Sequence, residues 1–62
     1  MFYDKVADYC YENRISVRKF EIMCGFSNGT VGGWRTADPS IKSLKVIVEK
    51  TEIPYEEWLK ED

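Results

Sequence analysis

Two thiols, one carboxylate inside an apolar run, and a cluster of small polar residues broken by glycines are what this sequence offers to chemistry. Cys10 and Cys24 stand at apolar positions of helical patterns and lack the CxxC spacing that holds zinc or carries redox exchange. Both are expected to be buried, reduced thiols with no disulfide between them. Glu21, in RKFEIMC, has no second acid or base at a spacing that would make a catalytic pair, so it reads as a partly buried acid bonded to turn backbone or to a nearby Arg or Lys. Histidine is absent, which removes the usual general base, the commonest metal ligand and the near-neutral proton switch together. The glycines from Gly25 to Gly33 are not a phosphate loop, because no strand precedes them and no GKS or GKT ending comes after. Asn28 remains, an amide that both donates and accepts. No enzyme activity, cofactor or metal is expected.

The elements that must position these residues are short. Phe2, Val6, Tyr9 and Cys10 recur at one face of a first helix over about residues 2 to 13, with Asp4 and Asp8 early, where acids suit the helix dipole. Ser16 is an N-cap for a second helix carrying Val17, Phe20 and Cys24, and Gly25 stops it. Ser27 is read as the N-cap of a third short helix with Val31 and Trp34 as its apolar stripe. After the irregular RTADP, Ser40 caps a fourth helix with Ile41, Leu44, Ile47 and Val48, and Pro54 opens a fifth through Trp58 and Leu59. Asn28-Gly29 is a hairpin dipeptide only between alternating strands, and none flank it. The fold class is therefore all-α, five short helices in one domain over residues 1 to 62.

The 62 residues are 44% hydrophobic and 32% charged, a composition that supports one small folded core and no second domain. No apolar run approaches the ~18 residues of a membrane span, and the acidic start is unlike a signal peptide, so a cytoplasmic protein without membrane partners is expected. The net charge of -2 hides a pattern: residues 1 to 13 sum to -2, residues 14 to 45 to +4 and residues 46 to 62 to -4. A basic middle is flanked by acidic ends.

Two short helices joined by a glycine turn, the second N-capped and inside the basic section, make a candidate helix-turn-helix. In such a unit the second helix turns its N-terminal residues toward the DNA major groove. Ile15-Ser16, Phe20-Glu21, the turn Gly25-Phe26-Ser27, the anchors Val31 and Trp34, Pro39-Ser40 with Leu44 and Ile47, and Ile53 before Trp58-Leu59 succeed one another at spacings that resemble the Cro/cI-type (XRE) regulators, especially repressor-like proteins of Gram-positive phages and mobile elements. The resemblance covers nearly the whole chain and implies a lambda-repressor-like helix-turn-helix domain. It also implies that Asn28, Gly29 and Gly33 face bases and Thr30 lies near a phosphate. Two positions depart from the family's pattern: Val17 stands where many members carry a phosphate-contacting Gln, and Cys10 where many carry an Arg. Arg18, Lys19, Lys42 and Lys45, in the basic section, are expected to contact phosphates of a double-stranded operator.

The function expected on this reading is sequence-specific transcriptional regulation, as a repressor. A single unit makes few contacts, so a homodimer on a palindromic site is expected, with Tyr55, Trp58 and Leu59 as its exposed apolar surface. The competing expectation is a protein-interaction module on the same fold that binds another regulator or a polymerase subunit, which the acidic ends would suit.

Overall fold

Capping chemistry sets most of the element boundaries. In the computed structural model, which describes residues 1–60, helix α1 spans Phe2–Glu12 and α2 spans Val17–Cys24. The Ser16 hydroxyl accepts the Lys19 N–H at 2.9 Å to start α2, and Ser40 does the same for Ser43 at 3.1 Å to start α3, Ile41–Thr51. Pro54 precedes α4, Tyr55–Trp58. The molecule is all-helical, with no strand among the described residues. Glu61 and Asp62, the last acids of the acidic carboxyl-terminal section, lie outside the described residues. No described helix is long and apolar enough to cross a membrane.

The third element corrects the sequence reading. A helix was expected from Ser27, and the chain instead makes a turn over residues 27–30 before a 3-10 helix, Val31–Arg35. Among the described residues there are thus four α-helices and one 3-10 helix rather than five alike. The Thr30 N–H reaches the Ser27 carbonyl at 3.1 Å, with Gly29 at φ +91°, the turn position that needs a glycine. Asn28-Gly29 therefore acts as a turn former without a hairpin and delays helix onset. Glycines at 32 and 33 then weaken the α-form that the Val31–Trp34 stripe would otherwise favour. Two smaller corrections concern single side chains. Ile41, expected in the apolar stripe of α3, is 76% exposed because packing deepens only toward Ile47, which is fully covered. Leu59 falls just beyond α4 and is exposed.

Three helices end on a residue in the left-handed region. After α1, the Arg14 and Ile15 N–H groups bond back to the Tyr11 and Cys10 carbonyls. After α2, Gly25 and Phe26 repeat that pattern on Ile22 and Glu21, so both ends are Schellman motifs. The left-handed residue is Gly25 in one and Arg14, at φ 56°, in the other; Glu52 at φ 59° closes α3.

The core is built on aromatic rings passed from element to element. Phe26 meets Trp34 edge-on at 5.6 Å, Trp34 meets Phe2 at 5.5 Å, Phe2 meets Trp58 at 5.7 Å, Trp58 meets Tyr9 at 5.9 Å and Tyr9 meets Phe20 at 5.7 Å. Helix α1 supplies two of the four interior links, Phe2 and Tyr9, so the 3-10 helix, α4 and α2 all gather on it. Val6, Val31 and Ile47 fill the remaining centre with no exposure, and Cys10 and Cys24 are buried, unbridged thiols. Burial pushes both thiols above the ordinary range, Lys50 opposing this at Cys24.

Two substitutions probe this architecture, both read by urea denaturation. Trp34→Ala removes the link between Phe26 and Phe2 and should cost ~3–5 kcal/mol, enough to leave a domain this small largely unfolded. Arg14→Gly should stabilise by ~0.5–1 kcal/mol, because relief of ~1–2 kcal/mol of left-handed strain exceeds the ~0.4–1 kcal/mol of added unfolded-state freedom. A lower midpoint for the glycine variant would show that the Arg14 side chain stabilises more than its backbone strains.

Candidate nucleic-acid interface

The site is organised by Glu21. Its position in α2 results from Phe20 and Cys24, which turn that face inward, and its carboxylate is 2% exposed. Oε2 accepts the N–H of Val31 at 2.9 Å and of Gly29 at 3.1 Å, and Oε1 faces the Arg18 guanidinium at 3.4 Å. The first N–H groups of a helix have no partner of their own. Thr30, the cap residue of the 3-10 helix, offers no side-chain bond, so the acid of the preceding helix takes over the capping. Burial alone would raise the Glu21 carboxyl; the Val31 and Gly29 N–H groups and Arg18 outweigh that and leave it below the ordinary carboxylate range. The expected partners, turn backbone and a neighbouring Arg, are both there.

This clamp decides what faces outward. Asn28, Gly29 and Gly33 are exposed and Thr30 is half-buried. The Gly29 amide is nonetheless turned inward to Glu21, so what it presents to solvent is a bare Cα. Added methyl groups would meet nothing within 4 Å at Gly29 or Gly33, but only Gly29 has a positive φ. Gly29 is thus required by the backbone and Gly33 is not.

The expected phosphate contacts divide. Arg18 and Lys19 are exposed at the start of α2, and Arg18 is joined through Glu21 to the Gly29 turn. Lys42 and Lys45 are exposed on α3, which packs on α2. Neither makes an ion pair among the described residues. Trp58 corrects the expected dimer surface: it is 4% exposed, with its indole N–H on Thr51 Oγ1 at 3.3 Å, because it fills the gap between Phe2 and Tyr9. Tyr55 and Leu59 remain exposed.

Two features escaped the sequence reading. Arg35 stacks its guanidinium 4.1 Å over the Tyr3 ring, tying the end of the 3-10 helix to α1. A groove between α1 and the chain around α4 gathers acids from both ends of the sequence; the acidic charge at both termini was its one visible trace. No family model, curated protein or solved structure matches the chain.

Glu21→Ala leaves the Val31 and Gly29 N–H groups without their acceptor and should cost ~2–3 kcal/mol. The folded-state carboxyl titrates below the ordinary glutamate value of 4.5, so its stabilisation is complete above that value and is lost as pH falls through the lower, folded one. The stability gap between the wild type and Glu21→Gln, measured by urea denaturation, should therefore hold above the ordinary glutamate value of 4.5 and shrink as the pH falls below it. A gap that stays constant with pH would assign the loss to shape rather than charge.

Proposed function

We propose that this protein is a sequence-specific DNA-binding regulator, a cytoplasmic repressor of the Cro/cI type built on a lambda-repressor-like helix-turn-helix. The observation that carries the reading is the Glu21 clamp. It ties α2 to the turn before the 3-10 helix and leaves Asn28, Thr30 and Gly33 accessible in the same unit that carries Arg18 and Lys19. On this reading α2 crosses the phosphate backbone and the turn enters the major groove. Asn28 supplies a bidentate edge contact of the kind an amide makes with adenine. The exposed lysines of α3 add backbone contacts from the neighbouring helix. A short 3-10 segment with two glycines offers few side chains to the bases, so affinity rests on phosphates, and two copies on a palindromic operator are expected. Occupancy of that operator would exclude polymerase.

The test is binding to duplex DNA selected from a random pool, measured across salt. Lys19→Glu with Lys42→Glu should weaken all sequences alike and make the salt slope shallower by about one unit for each phosphate no longer neutralised. Asn28→Ala should cost ~1–3 kcal/mol at one base pair per half-site and relax preference there only. Gly33→Ala meets no obstacle in the free protein, so a variant that melts higher yet binds more weakly would place the DNA backbone against Gly33. An unchanged sequence preference in Asn28→Ala, or an unchanged salt slope in the charge variant, would sink the reading.

A further inference from the structure

Two depressions of about 430 and 230 Å³ share Lys5, Asp8 and Trp58 and so make one continuous groove between α1 and the chain around α4. No residue of α2 or the 3-10 helix lines it, which separates it from the surface assigned to DNA. Phe2, Tyr9 and Trp58 are its aromatic wall, and Met1 and Leu59 stand beside them with more than half their surface in water. The Lys5 ammonium is held on the Lys60 carbonyl, which joins the two sides. Among the described residues that line it, five are acids, Asp4, Asp8, Glu12, Asp38 and Glu57, against the cations Lys5, Lys60 and the terminal ammonium of Met1. The terminal ammonium lies 3.4 Å from Asp4, and among the described residues the other four acids make no ion pair.

We infer that this groove docks a segment of a partner protein in which an apolar side chain is flanked by Lys or Arg. Exposed apolar rims over an aromatic wall leave surface that gains from being covered, and a rim of one sign concentrates the opposite charge. That same sign repels nucleic acid. It also opposes a two-fold pairing of this face with itself, since a symmetric contact would set the same carboxylates against one another. The inference does not rest on the DNA-binding reading, because the two surfaces share no residue.

The experiment is an amide-shift titration of the isotopically labelled full chain with a short synthetic peptide of leucines and lysines, alongside its leucine and glutamate counterpart. The Leu–Lys peptide should shift Phe2, Asp8, Leu59 and the Trp58 indole, and the Leu–Glu peptide should not. Asp8→Lys with Glu57→Lys should weaken binding by about tenfold or more, two exposed attractions having become repulsions. Glu49→Lys with Glu52→Lys, an equal change of net charge outside the groove, should leave it unchanged. Equal binding of both peptides, no binding of the Leu–Lys peptide, shifts confined to α2 and the 3-10 helix, or equal weakening by the two charge variants would each overturn the inference. So would sedimentation of the protein alone as a dimer whose dissociation moves the groove signals, which would make a second copy the occupant.

Discussion

A single buried carboxylate holds α2, the turn after it and the 3-10 helix of this molecule together. Glu21 sits in α2 because its neighbours Phe20 and Cys24 face the core, yet its oxygens are committed to the next element, on the N–H groups of Gly29 and Val31. An acid so placed is stable only if every oxygen is satisfied, and bonds from backbone donors to a charged acceptor are stronger than neutral ones. Arg18 completes the set from the solvent side. The same residue also closes α2, since its carbonyl accepts the Phe26 N–H at 2.7 Å. Glu21 thus ends one helix, spans the turn and caps the 3-10 helix beyond it.

The rest of the core explains how so short a chain orients that unit. Small domains bury a limited share of their surface, and this one concentrates burial in large rings that touch in series from Phe26 to Phe20. Each ring covers apolar area, and the Phe26–Trp34, Trp34–Phe2 and Tyr9–Phe20 pairs add edge-to-face attraction. Because α1 contributes Phe2 and Tyr9, the first helix acts as the hub for the 3-10 helix, α2 and α4. Arg35 over Tyr3 adds a second tie at the surface. The turn that Glu21 grips is thereby held at one end by a carboxylate and at the other by aromatic packing around Trp34.

Charge is sorted by the fold into two regions with different chemistry. The cations Arg18 and Lys19 on α2 and Lys42 and Lys45 on α3 belong to neighbouring, contacting helices. The acids of the two ends of the chain meet around the groove between α1 and α4. A net charge of -2 is therefore a poor guide to partners, since charges separated by more than about 8–10 Å in salt are largely screened from one another. Each region presents its own local field.

What the sequence determined by itself was everything governed by neighbours in the chain. Ser16, Ser40 and Gly25 set helix limits because caps and left-handed stops are local hydrogen-bonding choices, and the spacing of Val6, Cys10, Phe20 and Ile47 marked the core because helical periodicity is local. The burial of Glu21 and its type of partner were also legible, for an acid inside an apolar stripe needs such bonds. Only the tertiary structure decided the rest. Thr30 lacks a side-chain cap and Glu21 supplies one from ten residues away, which anchors the start of the third element at Val31, beyond the Asn28-Gly29 turn. Trp58 is core rather than interface because the gap it fills lies between Phe2 and Tyr9 of a distant helix. The acidic groove exists only where the two ends of the chain meet. In each case the deciding force is a contact between residues far apart in sequence, which no local pattern encodes.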